Sequence, residues 1–150
     1  MAARQYLLYA YPWMPYPRRI IIYLREKGIP SSLVQVVRVS DPGDGNAAPP
    51  NFPPRPQGSL PVLVMRSERS DTHIRQSVAI MNYLDELCDA GADGFPKSKY
   101  SIRGENLLAR ARNTEILGLA DEILASWNPV RTFGTGAGTM PIPAAAKEML

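Results

Sequence analysis

Tyr6 to Val39 reads YLLYAYPWMPYPRRIIIYLREKGIPSSLVQVVRV, and its successive changes of character decide the fold. Tyr6-Leu-Leu-Tyr-Ala10 is an apolar and aromatic run of strand length, and the breaker-rich Tyr11-Pro-Trp-Met-Pro-Tyr-Pro17 after it reads as a turn. Pro17 serves as the first helical residue, where a missing N–H costs nothing. Ile20, Ile21, Tyr23 and Leu24 then supply a buried face until Gly28 stops the helix. Leu33-Val-Gln-Val-Val-Arg-Val39 is β-branched with polar interruptions and reads as a second strand, which the crossover helix places parallel to the first. The segment therefore predicts a βαβ unit.

Beyond it, Asp41 to Gly58 is a loop by composition, with five prolines between Pro49 and Pro56. Ser59-Leu-Pro-Val-Leu-Val-Met65 reads as a third strand, and a hairpin through Ser67 to Asp71 leads to a short fourth at Thr72-His-Ile74. Ser77 stands as a helix N-cap, with Ile80, Leu84, Leu87 and Cys88 at helical spacing behind it and Gly91 and Gly94 closing the segment before Pro96. The order is βαβ, loop, ββα over residues 1–90, followed by a linker at 91–99.

Residues 100–150 change to helical character. A long helix is expected from Ile102 to Trp127, with Ile116, Leu119, Ala120, Ile123 and Trp127 on one face, then a short proline-started helix ending at Leu150. One and a half helices make no core of their own, so this unit reads as a truncated all-α domain that packs on the first domain or on a partner. Gly134-Thr-Gly-Ala-Gly138 follows a helix rather than a strand, which excludes it as a dinucleotide-binding turn.

Composition narrows the chemistry. With 45% hydrophobic and 21% charged residues the 150-residue chain can bury a core. A net charge of +3 favours small anions mildly, without the clustered Lys/Arg stripe of a nucleic-acid footprint. No run approaches the roughly 18 apolar residues of a membrane span and no leader pattern is evident, so a cytoplasmic protein is the expectation. One cysteine, Cys88, allows no internal disulfide, dithiol pair or cysteine-rich zinc site, and no metal is expected. Cys88 reads as core, and the single histidine, His73, as a hairpin residue rather than a ligand.

Three segments, in their order and spacing, resemble the glutathione S-transferase superfamily: an N-terminal thioredoxin-like domain and the start of the helical C-terminal domain. Met14-Pro-Tyr-Pro-Arg-Arg19 leading into Tyr23-Leu-Arg-Glu-Lys-Gly-Ile29 is similar to that family's active-site turn and first helix. Gly58-Ser-Leu-Pro-Val-Leu63 is similar to the motif in which a cis-proline opens the third strand. Gln76-Ser-Val-Ala-Ile-Met-Asn-Tyr-Leu-Asp-Glu86 is similar to the family's Glu/Gln-Ser turn and following helix.

The resemblance implies glutathione as co-substrate. The backbone of Leu60, ahead of Pro61, would pair with the cysteinyl part. Gln76 and Ser77, at a helix N-terminus that attracts anions, would hold the γ-glutamyl carboxylate. Met14 departs from the pattern, since the family places a Ser or Cys there and a methionine neither donates to a thiolate nor forms a mixed disulfide. Activation of the thiol then falls to the helix N-terminus, to Arg18 or Arg19, or to a tyrosine; Tyr9 matches the family's catalytic tyrosine by position and Tyr11 is better placed to face the turn. Arg55 is the one basic residue in the loop where many members carry a group for the glycyl carboxylate.

Two functions follow. One is a glutathione-binding transferase that conjugates or isomerises a small electrophile through the glutathione thiolate. The other is a non-catalytic binding or assembly module that has lost the catalytic Ser/Cys and part of its helical domain. The resemblance also implies a homodimer.

Overall fold

A computed structural model describes residues 4–68, 70–97 and 101–129. The chain divides into two compact units, Met1–Ile102 and Arg103–Leu150. The first carries β1 (Gln5–Ala10), α1 (Pro15–Glu26), β2 (Val34–Arg38), a 3-10 turn (Pro42–Asp44), β3 (Val62–Arg66), β4 (Asp71–Arg75) and α2 (Ser77–Ala90). These make the expected thioredoxin-like α/β domain. The sheet order is β2-β1-β3-β4, with β1 and β2 parallel and the β1/β3 and β3/β4 pairs antiparallel.

The continuous apolar run of β1 is explained by its central place, because alternate side chains enter two different cores. Tyr6, Leu8 and Ala10 join Leu63 under α1 and α2, where Ile20, Tyr23, Leu24, Ile80, Leu84 and Cys88 are buried. Each such aliphatic side chain contributes about 1.5–3 kcal/mol on burial. Leu7 and Tyr9 enter the opposite core with Val37, Val39, Val62 and Val64, against which Phe52, Ala48 and Leu60 of the proline-rich loop pack. Phe95, in the stretch expected to be only a linker, packs edge-on to Tyr6 at 5.2 Å in the first core.

The element boundaries shift from the expected ones for local reasons. Helix α1 starts at Pro15, not Pro17, because the first turn of a helix uses none of its N–H groups and tolerates both prolines. It ends where Gly28, at φ +66°, lets Ile29 N–H reach Leu24 O at 2.9 Å. Strand β2 is one residue shorter at each end than expected, β3 begins only at Val62, and β4 extends one residue each way to pair Asp71 with Arg66 and Arg75 with Val62.

The N-cap of α2 is Gln76 and not Ser77, which is already helical. A single residue separates β4 from α2, so Gln76 must turn the corner, at φ 70° and ψ 124°.

In the second unit the helix begins at Leu107 rather than Ile102 and runs to Pro129 as α3. Gly104, at φ +114°, cannot be helical, and Asn106 caps the helix by accepting Ala109 N–H on Oδ1 at 2.9 Å. Ile116, Leu119, Ile123 and Trp127 of the expected apolar face are exposed. The Gly134–Gly138 loop and the terminal short helix lie outside the described residues.

Candidate functional site

The sheet register gathers the motif residues at one end. Tyr9 pairs with Val62, and Val62 with Arg75. One step further along, Ala10, Pro61 and Gln76 therefore lie side by side. The turn after β1, the Leu60–Pro61 peptide and the start of α2 share that end, and so do the N-termini of α1 and α2. The Leu60–Pro61 bond is cis.

At the α2 corner, Gln76 holds a backbone conformation that non-glycine residues rarely adopt, which stores strain. Its carbonyl accepts Ile80 N–H at 3.0 Å, while its side chain is exposed and makes no capping bond. Ser77, 5% exposed, stands in the first turn beside it.

At the α1 turn, Met14 is half-buried and caps the helix without a side-chain bond. Its N–H is spent on Tyr11 O at 3.1 Å, and its carbonyl receives Arg18 N–H at 2.9 Å. Pro15 and Pro17 have no N–H, so Tyr16 supplies the one uncommitted backbone donor of the first turn. Its ring lies under the Arg19 guanidinium, 5.0 Å from the centroid. Arg18 turns the other way, onto the groove between α1 and β2.

The two tyrosines sit apart from each other in role. Tyr9 belongs to the loop-covered core, 1% exposed, and its hydroxyl donates to Pro53 O at 3.0 Å. Burial holds its pKa above the ordinary phenol value. Tyr11 lies closer to the turn, its ring 5.6 Å from that of the exposed Trp13, and its hydroxyl donates to Asn46 Oδ1.

Arg55, the one basic residue of the loop, joins this group: it donates to Asn46 Oδ1 at 2.8 Å, to Tyr11 Oη at 3.4 Å and to Gly58 O at 2.6 Å. Arg75 holds the same strap from its other side, through Gln57 O at 2.8 Å and Ser59 O at 3.4 Å. Two guanidiniums thus fix the carbonyls of residues 57–59 just ahead of Leu60. Asn46 and Arg75 were missed by sequence reasoning, because such long-range bonds leave no spacing signature. Among the described residues no group of three His, Cys, Asp or Glu side chains could hold a metal. His73 is an exposed β4 residue paired with Val64, and Cys88 is buried in the first core.

No helix of the described residues is long and apolar enough to cross a membrane. Among curated proteins, none matches the chain. The family described as "Glutathione S-transferase, N-terminal domain" matches residues 13–87, which run from the α1 turn to the last turn of α2 and make up half of the chain. By that match over half of its length, the chain belongs to the glutathione S-transferase N-terminal domain family.

Proposed function

We propose that this domain binds glutathione and presents its thiol to a small electrophile, for conjugation or isomerisation. The observation that carries the reading is the convergence at one sheet end of the Leu60–Pro61 segment, the strained Gln76 and two helix N-termini. Strain kept at an exposed corner points to that corner as a place where function is worth testing. The Leu60 backbone pairs with the cysteinyl residue as a short strand would. Gln76 and Ser77, with the positive end of α2, receive the γ-glutamyl carboxylate. Family membership supports a cytoplasmic homodimer as the working form.

Thiol activation is the weak link. A thiolate is stabilised by nearby donors. Here Met14 offers none, the first turn of α1 offers Tyr16 N–H, and the hydroxyls of Tyr9 and Tyr11 donate to Pro53 and Asn46. Either tyrosine would act only after leaving its present partner. That scarcity favours the second reading, a module that keeps the ligand site and has lost turnover.

Calorimetric titration of glutathione into the chain, with Ser77→Ala and Gln76→Ala alongside, tests the binding. Micromolar to low-millimolar affinity that both changes weaken supports the site; no binding to the folded chain refutes it. Ultraviolet absorbance of the bound thiolate against pH then tests the first reading, because transfer through the thiolate needs a lowered thiol pKa and a bound thiol that titrates like free glutathione refutes it.

A further inference from the structure

The groove between α1 and β2, of about 510 Å³, starts at the sheet end where Pro12 and Arg18 lie and runs away from the Leu60–Pro61 and Gln76 side toward Ser31. Helix α1 lends it Arg18, Ile21, Ile22 and Arg25, spaced along one face, and β2 lends Val36 and Arg38. Ile22, an apolar side chain lining the groove, is 50% exposed. The three arginines are exposed, and their side chains have no hydrogen-bond or ion-pair partner among the described residues. Because α1 runs back antiparallel to β2, Arg18 and Arg38 stand at one end of the groove with Pro12. Arg25 stands at the other with Ser31, and the isoleucines and Val36 lie between.

Among the described residues, strand β2 is also an edge, paired only with β1. Val39 N–H donates to Ala10 O at 3.0 Å and Ser40 N–H points the opposite way, to Ala47 O at 2.9 Å. By that alternation Val36 and Arg38 turn their backbone N–H and C=O groups to the open side. Edges of this kind are templates for an added strand.

The cations are spread rather than clustered. Arg18 and Arg25 are seven residues apart on a helix, about 10 Å, a distance an extended chain covers in three to four residues. A single anionic head group cannot answer charges that far apart, whereas carboxylates on alternate residues of a strand can. We infer that this groove takes an extended acidic segment of a partner protein. The segment adds to β2 with a carboxylate, an apolar side chain and a second carboxylate on successive α1-facing positions.

The probe is the peptide acetyl-Glu-Ser-Leu-Ser-Glu-amide, titrated into the isotopically labelled chain. Its acids and leucine share one face of an extended strand. The expected result is a shift of the Val36 and Arg38 amide resonances. Affinity should be about tenfold or more weaker for the Arg25→Glu/Arg38→Glu variant and for the peptide with lysine in place of glutamate. The same loss is expected for acetyl-Ser-Glu-Leu-Glu-Ser-amide, which keeps charge and composition but puts the acids on the opposite face. Equal binding of the two acidic peptides, or no shift at saturating probe, overturns the inference. So do shifts of the same amides produced by raising the protein concentration alone, which would assign the groove to a second copy, or by phosphatidylserine vesicles in preference to peptide. The peptide comparisons use the unaltered protein, so they stand even if the variant folds poorly.

Discussion

Replacing Gln76 with glycine should make the domain more stable and worse at holding glutathione. At φ 70° and ψ 124° a residue with a Cβ bears about 1–3 kcal/mol of strain. Glycine adopts the same angles freely, and its extra freedom in the unfolded chain takes back about 0.5–1 kcal/mol. The Gln76 side chain is exposed, so its removal forfeits little packing. The net expectation is a gain of about 0–2.5 kcal/mol, read as a higher urea midpoint at unchanged slope. On the ligand side, with Gln76 holding the γ-glutamyl carboxylate as proposed, the variant would lose that hydrogen bond, about 1.5–3 kcal/mol. Glutathione affinity should therefore fall roughly 10- to 100-fold. Gln76→Ala supplies the control, since it keeps the strain and loses the amide: stability stays near the parent and affinity falls as with glycine. A glycine variant less stable than the parent would refute the strain argument, and an unchanged affinity would remove Gln76 from the site.

Asp85→Asn should destabilise the first unit by about 3–5 kcal/mol, because Asp85 takes Lys27 Nζ at 2.5 Å, Tyr23 Oη at 2.9 Å and Ser101 Oγ at 3.2 Å. The Lys27 side chain is only 3% exposed, so the paired change Lys27→Met/Asp85→Leu should recover most of the loss in urea unfolding; a single-variant cost below about 1 kcal/mol contradicts this. The folded-state pKa values of Tyr6, Tyr9 and Tyr23 are all raised, chiefly by burial and for Tyr6 and Tyr23 also by bonding to Asp93 and Asp85. Their contribution is thus complete below the ordinary phenol value and is lost as pH rises through the folded values, by up to about 1.4 kcal/mol per pH unit for each. Phenolate absorbance should show these three ionising only as circular dichroism reports unfolding, and their ionisation in a native chain would be contrary evidence. Gly104→Ala should cost about 2 kcal/mol or more and weaken α3, because the new Cβ would stand 2.7 Å from the Ala109 carbonyl carbon at φ +114°; an unchanged helical signal and melting profile argue otherwise. Met14→Ser should stabilise α1 by about 1 kcal/mol through a side-chain cap and raise the acidity of bound glutathione. A thiolate titration that does not move would show that the missing hydroxyl is not what limits activation.

The architecture was legible where one physical signal dominated. In β1 an unbroken apolar run of strand length marked the strand, and in α1 and α2 the 3.6-residue period named Ile20, Leu24, Ile80, Leu84 and Cys88 correctly as core. Boundaries failed where a rule admits more than one site. Pro15 and Pro17 both satisfy the first turn of a helix, and Ser77 looked like a cap because Ser is a common one, while the short strand-to-helix corner pushed that place back to Gln76. Asp85 carried a signal that was passed over: it lies on the helical face of Leu84 and Cys88, and an acid among buried apolar positions demands a cation, which Lys27 provides. The Tyr11–Asn46–Arg55 group and the Arg75 strap had no such signal, since they join residues far apart in sequence through irregular backbone. Tyr9 and Tyr11 could be nominated by position, but which hydroxyl was spoken for depended on where the loop lay.

The proline-rich stretch between Pro49 and Pro56 bears on how the domain orders with a loop packed on its second face. Each proline that fits its native geometry narrows the denatured ensemble by about 0.4–1 kcal/mol, so five of them spare the loop an entropic cost of roughly 2–5 kcal/mol on folding. A cover with few backbone hydrogen bonds can then lie as still as a helix. Lacking those N–H groups, it is also nearly silent to amide exchange, so its opening is better followed through the environment of Phe52 and of the Tyr9 ring beneath it.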